Sequence, residues 1–170
     1  MVAPMLAIPL YSQMNVACLQ NRSIRVGSVV QGAIGLEALS RGCGQAHFVE
    51  MDPWVVKKCL SPNIRAAKLN DDCVVHQVKA EDFLQRGLKA GSFAGGAFDF
   101  VSITPPYMLV SYPEIYDLLE NSPLLHERSV VIVEYAKQNI KDIRRHVGRL
   151  RLLKSRRYGR TYIAVYGNNS

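Results

Sequence analysis

The sequence predicts an α/β fold, a three-layer sandwich with a mostly parallel sheet and an antiparallel C-terminal hairpin. Five short runs rich in β-branched and aromatic residues alternate with helical segments of about 10 to 15 residues, the spacing that parallel crossovers need. Two further strand-like runs meet at the turn Tyr158-Gly159, as a hairpin requires. A chain of 170 residues, 48% hydrophobic, can bury one core. We therefore expect one domain over residues 23–170, preceded by an irregular or targeting segment at 1–22.

The first half of the chain holds three predicted strands and three predicted helices. Its β-branched or apolar runs predict strands at Ser23–Val30, Gln45–Asp52 and Asp72–Val78. Helical spacing of apolar residues predicts helices at Gly32–Gly42, Pro53–Leu69 and Ala80–Ala90. Gly42 is a typical C-terminal signal, and Pro53 suits the first turn of a helix. Pro62 predicts a kink or a break within the second helix.

The second half continues the alternation and then changes it. Strands are predicted at Ala97–Ile103 and Arg128–Tyr135, with a helix at Pro113–Asn121 between them. A last helix is predicted around Ile140–Val147. The two strands within Leu150–Gly167 form the hairpin, so antiparallel pairing is expected at one side of the sheet.

Positive charge is concentrated in the last quarter of the chain. The formal net charge is +7, and ten of the 21 Lys and Arg residues lie between Lys137 and Arg160, where Asp142 is the only acid. Such a run is either a solvated surface or a surface that contacts phosphates. Because the whole chain is basic, the second interpretation indicates a polyanionic partner.

Cysteine usage and hydropathy indicate the cellular compartment of the protein. The four cysteines form no C-x-x-C pair and have no histidine cluster nearby, so we expect reduced thiols and no zinc site. No apolar run reaches the roughly 20 residues that span a bilayer. From Met1 to Leu36 there is no acidic residue, which fits an organellar transit segment or a poorly ordered tail. We expect a soluble, intracellular protein with no membrane partner, either cytoplasmic or organellar.

Polar residues and glycines follow the predicted parallel strands at the edge where α/β sheets bind ligands. Glu50 ends the second strand, where a nucleotide-binding fold places a carboxylate for the ribose hydroxyls, although a surface acid is the simpler alternative. Glu81 and Asp82 follow the third strand; they either reach an adenine amine or supply charge to a helix start. Gly32 and Gly35 permit a close cofactor approach or ordinary helix packing.

The stretch "SITPPY" begins in the fourth strand and continues directly beyond its end. Thr104 precedes a proline and is therefore biased toward extended backbone, while Pro105 and Pro106 hold the loop rigid and donate no hydrogen bonds. Nearby carbonyls can then face a ligand amine, and Tyr107 can stack on a planar base. The loop suits an exocyclic amine presented to an electrophile.

Five segments resemble one known family in order and spacing. They are "GLEALSRG", "FVEMDP", "FDFVSITPPY", "VVIVEY" and "RRYGRTYIAVY", within Ile34–Gly167. The chain resembles the small-subunit ribosomal RNA guanine-N2 methyltransferases, which depend on S-adenosylmethionine. The resemblance implies a Rossmann-like Class I methyltransferase with a seven-stranded sheet, S-adenosyl-L-methionine as cofactor, and a monomer that contacts ribosomal RNA or a ribosomal subunit through residues 137–160.

The resemblance also assigns residues. The residues implied at the cofactor are Gly32, Gly35, Glu50, Met51, Glu81 and Asp82, and those implied in catalysis are Thr104, Pro105, Pro106 and Tyr107. In the family's Asn/Asp-Pro-Pro-Tyr/Phe motif, the first side chain and the following proline carbonyl accept hydrogen bonds from the target amine. The aromatic residue stacks on the flipped base. No metal is implied.

The chain departs from the family pattern at two places. The family's D-x-F/Y-x-G-x-G run is represented by Val26, Ser28 and Val30 before Gly32, and weaker cofactor binding is expected. Thr104 replaces Asp or Asn, which predicts a loss on the order of a hundredfold in rate. Two alternatives therefore stay open: a catalytically impaired methyltransferase-like protein that binds RNA or a protein partner, and a DNA adenine or cytosine amino-methyltransferase. A nicotinamide-dependent dehydrogenase is disfavoured because G-x-G-x-x-G is absent.

Overall fold

The structure, a computed structural model, describes residues 25–29, 32–89, 93–105 and 111–168. Over these residues it has eight strands, and helices separate the first five of them. The strands are β1 (Arg25–Val29), β2 (Gln45–Val49), β3 (Cys73–His76), β4 (Phe98–Ile103), β5 (Leu125–Ala136), β6 (His146–Val147), β7 (Leu150–Tyr158) and β8 (Thr161–Gly167). Predictions made for residues 1–22, Val30, Pro106 and Tyr107 lie outside these ranges. The division into a segment at 1–22 and a domain at 23–170 stays a prediction.

Five helical segments connect the first five strands. They are α1 (Ala33–Ser40), α2 (Pro53–Val55), α3 (Ser61–Ala67), α4 (Ala80–Lys89) and α5 (Tyr112–Glu120). A π-helical turn, Val56–Leu60, joins α2 to α3, and short 3-10 turns lie at Asn70–Asp72, Phe93–Gly95 and Lys137–Asp142. Among the described residues, no helix combines the length and apolar character needed to cross a membrane.

The strands form one sheet in the order β3-β2-β1-β4-β5-β8-β7-β6. The pairs from β3 to β5 are parallel, and the pairs that join β5, β8, β7 and β6 are antiparallel. This arrangement confirms the predicted fold class, because parallel crossovers and a C-terminal hairpin occur where the sequence pattern places them. The implied count of seven strands is wrong by one, since the two-residue strand β6 adds an eighth.

Two hydrophobic clusters pack on the two faces of the sheet. One cluster joins α1 and α3 to Ala46 and Phe48 of β2, and we call this side the α1 face. The larger cluster joins α4 and α5 to Val49, to β4 and β5, and to Tyr166 of β8, and this side is the α5 face. Neighbouring residues Phe48 and Val49 serve different clusters because successive side chains of a strand point to opposite faces. The sheet and its two helical layers make the three-layer sandwich.

The last predicted helix, Ile140–Val147, is wrong. Lys137–Asp142 forms a 3-10 turn, and the chain then enters β6. Val147 is fully buried and pairs with Leu150, and Gly148 turns the chain at φ +54°. A Cβ on Gly148 would lie 2.8 Å from the carbonyl oxygen of Glu120, so the turn packs directly on the end of α5. Burial of this tight turn outweighs the local helical preference.

Pro62 does not interrupt the second helical segment. In the π-helical turn ahead of it, the Ser61 N–H donates to the Val56 carbonyl, five residues back. A proline within an α-helix lacks a donor and its ring clashes with the carbonyl four residues earlier. A π turn relieves such a clash because it inserts one extra residue, so the helix continues to Ala67.

Two buried serines in the core differ in whether their hydroxyl groups have hydrogen-bond partners. Ser102 of β4 is 1% exposed, and its Oγ has no hydrogen-bond partner among the described residues. Ser129 is equally buried, but its Oγ donates to the Phe98 carbonyl at 2.7 Å and accepts from the His126 N–H at 2.9 Å. A buried hydroxyl without a partner keeps its desolvation cost, whereas a paired hydroxyl offsets it.

We expect Ser102→Ala to raise the free energy of unfolding by about 1 kcal/mol, because it removes an unsatisfied polar atom. The matched change Ser129→Ala is expected to lower it by about 1 to 3 kcal/mol, because two backbone groups lose their partner. Urea denaturation followed by circular dichroism measures both values. Equal destabilisation by the two variants would show that the Ser102 hydroxyl is satisfied.

Candidate functional site

One hydrogen-bonded row of the sheet brings two predicted site positions together. Val49 of β2 is in register with Val29 of β1, and Val29 is in register with Ile103 of β4. Glu50 and Thr104 are the next residues on β2 and β4, so both lie just beyond this row at the carboxyl ends of parallel strands. Only β1 separates the two strands, which corresponds to about 10 Å at the usual strand spacing.

Glu50 is a buried carboxylate with one oxygen engaged. The residue is 7% exposed, and its backbone N–H donates to the His76 carbonyl at 3.1 Å. Oε1 accepts the Asp52 N–H at 2.8 Å, and among the described residues Oε2 has no hydrogen-bond donor. A buried carboxylate needs donors, and ribose hydroxyls would supply them. Glu50 is therefore not a surface acid, and its cofactor role stays a prediction.

Two large apolar side chains next to Glu50 are exposed. Met51 is 59% exposed and Trp54 is 62% exposed. Asp52 fixes the backbone between them, because its Oδ1 accepts the Trp54 N–H at 2.8 Å and caps α2. Exposed side chains of this kind, beside a buried carboxylate, can cover a planar ring. Met51 was a predicted cofactor residue. For Trp54 the sequence predicts packing at the start of a helix, close enough to Glu50 to border an adenine, and the exposure of the side chain contradicts the packing.

Gly32 and Gly35 pack against the hydrophobic cluster of the α1 face. Gly32 has φ +71°, and an added Cβ would lie 2.5 Å from Cδ1 of Leu60. An added Cβ on Gly35 would lie 2.5 Å from Cε1 of Phe48. Both contacts require glycine for close packing at the start of α1. Packing accounts for both glycines, and their predicted contact with a cofactor stays a prediction.

The remaining predicted residues lie at two other strand ends. Glu81 is half-buried and Asp82 is exposed, and both occupy the first turn of α4 after β3. Acids at this position stabilise the helix start, so an adenine contact stays a prediction. Thr104 is half-buried and Pro105 is buried, directly after β4. Ser102, two residues earlier on β4, has the unsatisfied hydroxyl described above, a feature that no sequence pattern reveals.

A histidine pair, with His47 buried and His76 half-buried, lies at the same end of the sheet. His76 ends β3 in register with Val49, and its Nε2 lies 3.0 Å from Nδ1 of His47. His47 Nε2 donates to the Gln45 side-chain oxygen at 3.0 Å. The two facing nitrogens share one proton, so both rings cannot be protonated while this hydrogen bond is present. Burial, with a smaller contribution from the positive charge of Arg86, lowers the pKa of His76.

We expect the protein to lose stability as the pH falls below the ordinary histidine pKa of 6.5. The unfolded chain then binds protons that the half-buried His76 resists, so the loss accumulates between pH 6.5 and the lower pKa of the folded state. Thermal melts from pH 8 to pH 5 would measure it. His76→Gln should flatten this dependence, whereas His146→Gln, at an exposed site, should leave it unchanged. A wild-type melting temperature that does not change over this range would contradict the prediction.

The chain is similar to one protein family and to proteins named as rRNA methyltransferases. A protein-family model described as "Conserved hypothetical protein 95" matches residues 27–167. The chain is 27% identical over 135 residues to "Putative rRNA methyltransferase YlbH" of Bacillus subtilis, covering 79% of this chain and 70% of that protein. It is 32% identical over 108 residues to "Ribosomal RNA small subunit methyltransferase D" of Escherichia coli, covering 64% of this chain and 50% of that protein.

Solved structures share the fold. "Putative methyltransferase yhhF" of Escherichia coli superposes with a TM-score of 0.74 at 24% identity, over 93% of this chain and 82% of that one. A structure named "SMU.776, a putative methyltransferase complexed with SAH" has a TM-score of 0.67 at 13% identity, over 85% of this chain and 45% of that one. At these identities the likeness establishes the Class I methyltransferase fold.

Proposed function

The chain belongs to the family described as Conserved hypothetical protein 95, and from this premise we propose that it is an S-adenosylmethionine-dependent methyltransferase acting on the exocyclic N2 amine of a guanine in ribosomal RNA. The observation that carries the proposal is the row that places the buried Glu50 carboxylate and the Thr104-Pro105 loop at one edge of the sheet. One position suits a nucleoside and the other suits an amine, which are the two groups that this reaction must bring together. The two named rRNA methyltransferases among the relatives support the substrate class.

Glu50, Met51 and Trp54 would hold the nucleoside part of the cofactor. Glu50 Oε2 would accept hydrogen bonds from the ribose hydroxyls, and the exposed faces of Met51 and Trp54 would cover the adenine. Glu81 or Asp82 would accept the adenine amine, and Gly32 and Gly35 would border the methionine side. When bound, S-adenosylmethionine supplies an electrophilic methyl group.

Thr104 and Pro105 would hold the target amine. The Thr104 hydroxyl and the Pro105 carbonyl would accept its two N–H groups, which turns the nitrogen lone pair toward the methyl donor. A nitrogen–carbon bond forms, the sulfur–carbon bond breaks, and the amine releases one proton to solvent. Pro106 would keep the loop rigid and Tyr107 would stack on the flipped guanine. Positioning supplies the catalysis, and no covalent enzyme intermediate is needed.

The basic segment at residues 137–160 would contact the RNA, and the chain would act as a monomer on ribosomal RNA or a ribosomal subunit. Phosphate contacts from Lys and Arg supply affinity without reading sequence, so the target guanine must be selected by the local RNA structure. The bacterial relatives favour a cytoplasmic location, and an organellar one fits equally if residues 1–22 act as a targeting segment.

Two measurements test the proposal in order. Calorimetric titration of the folded chain with S-adenosylmethionine should give binding in the micromolar range. Incubation with labelled cofactor and undermethylated small-subunit RNA should then transfer label, and mass spectrometry of the digested nucleosides should identify N2-methylguanosine. Cofactor binding without methyl transfer would favour a catalytically impaired relative. Label in an adenosine or a cytidine would refute the assignment to the guanine N2 amine. No binding at millimolar S-adenosylmethionine would refute the assignment of the chain as an enzyme.

A further inference from the structure

The row of residues in register through Val49, Val29 and Ile103 continues across β5 and β8 to β7, and the tip of the β7–β8 hairpin extends beyond this row. Ile103 of β4 is in register with Val133, Val133 with Ala164, and Ala164 with Ser155 of β7. The residues of β7 after Ser155 therefore lie on the same side of this row as Thr104. We call Arg156–Arg160 the hairpin tip. From β4 to β7 there are three strand spacings, or about 14 Å.

The structure separates the basic segment into residues with different surroundings. Arg144 forms an ion pair with Asp117 at 2.7 Å, and its guanidinium carbon lies 5.6 Å from the Tyr116 ring centre, so this arginine holds α5. Among the described residues, it is the only member of the basic segment in an ion pair. Arg149 and Arg151 are exposed at the opposite end of β7, far from the candidate site.

The hairpin tip carries three exposed arginines beside a fixed aromatic pair. Arg156, Arg157 and Arg160 are exposed. Arg157 Nε donates to the Gly159 carbonyl at 2.7 Å, and its guanidinium carbon lies 6.0 Å from the Tyr162 ring centre. The Tyr162 ring stacks on the buried Tyr135 with centres 5.4 Å apart. These contacts orient Arg157 before any ligand binds, which reduces the entropy lost on binding.

Arg156 and Arg157 occupy opposite faces of the hairpin. Arg157 is in register with Tyr162, whose ring packs on the α5 face, and Arg156 is in register with Ile163 on the other face. A polyanionic strand that crosses the tip can therefore contact both guanidinium groups. One guanidinium group can donate two hydrogen bonds to one phosphate, so the two arginines can bind two separate phosphates of such a strand.

We propose that the hairpin tip binds backbone phosphates of the RNA strand next to the target nucleotide, so that the arginines position the RNA for the Thr104 loop. This inference rests on the proposed function. A different role for the charges is to protect an open strand edge, since among the described residues β6 pairs with only two residues of β7. Edge protection needs charge anywhere along β7, whereas RNA positioning needs it at the tip.

The test compares two double variants that remove the same charge. Arg156→Ala with Arg157→Ala alters the tip, and Arg149→Ala with Arg151→Ala alters the other end. Fluorescence anisotropy with a small-subunit RNA fragment, over a range of salt concentrations, gives affinity and its salt dependence. We expect the tip variant to bind on the order of tenfold more weakly, with a log–log salt slope shallower by about 1.4 for two lost contacts. The other variant should bind more tightly than the tip variant, because its charges lie farther from the Thr104 loop.

Further measurements separate the possible outcomes. Replacing both tip arginines with lysine should restore most of the affinity, and equal melting temperatures would show that each variant folds. Cofactor titration should be unchanged in all of them. If the wild type binds RNA and the tip variant binds equally well, or both double variants lose affinity equally, the inference is overturned and the proposed function stands. If the wild type neither binds RNA nor transfers methyl groups, the proposed function fails and the inference fails with it.

Discussion

Glu50→Gln is expected to weaken S-adenosylmethionine binding by on the order of a hundredfold, which corresponds to about 2.7 kcal/mol. The carboxylate has Oε1 on the Asp52 N–H, and Oε2 has no donor among the described residues. Glutamine keeps the shape but offers a single oxygen. If that oxygen stays on the Asp52 N–H, an amide donor faces the ribose hydroxyls where a charged acceptor stood. Calorimetric titration of the variant measures the change.

The control for this prediction is Glu127→Gln. Glu127 is exposed near the start of β5, at the opposite end of the parallel strands from Glu50. The chemical change is identical in the two variants. Its cofactor affinity should equal that of the wild type. Melting temperatures should establish that both variants fold. An unchanged affinity in Glu50→Gln would remove Glu50 from the cofactor site and leave it as a residue that only fixes the backbone before α2.

Thr104→Asp is expected to raise the methyl-transfer rate by on the order of a hundredfold, because it restores the charged acceptor that the family motif places there. A carboxylate binds an amine hydrogen more strongly than a hydroxyl does and gains further as the nitrogen becomes positive in the transition state. The effect belongs to the reaction step, so cofactor affinity should change little. Single-turnover transfer of labelled methyl to saturating RNA measures the rate.

Thr104→Val provides the matched comparison at the same position. Valine preserves the shape and removes the hydroxyl, so the rate should fall below that of the wild type. The three side chains should then rank Asp, Thr, Val in rate. If the Asp variant is no faster than the Val variant while both bind the cofactor, the residue at 104 does not contact the target amine and the positioning role proposed for it is wrong.

Most of the fold follows from local patterns in the sequence. The parallel strands were predictable because their β-branched runs alternate with helices, and the hairpin because Tyr158-Gly159 interrupts two such runs. The resemblance to ribosomal RNA methyltransferases is confirmed by the family match and by two relatives. The region around Val147 was not predictable, because its strand depends on a buried turn against α5 that is distant in sequence.

The candidate site was predictable only in part, for a related reason. Glu50 stood out because a charged residue closes an apolar strand, and the structure shows it buried there. The His47–His76 hydrogen bond joins residues 29 positions apart, so it depends on the register of β2 and β3. The Ser102 hydroxyl, which has no hydrogen-bond partner among the described residues, likewise depends on what surrounds it in three dimensions. Contacts set by strand register leave no trace in a local sequence pattern.

The row through Val49, Val29 and Ile103 has a consequence for how such an enzyme can diverge. The separation between positions 50 and 104 is set by backbone hydrogen bonds, which do not depend on the identity of either side chain. A lineage can therefore exchange Asp or Asn for Thr at position 104 without altering the distance between the backbone at this position and the backbone at Glu50. The reaction rate and the protein architecture can then evolve independently. A family member with a slow reaction keeps the same fold as a fast one, and a single substitution can convert the slow enzyme into the fast enzyme.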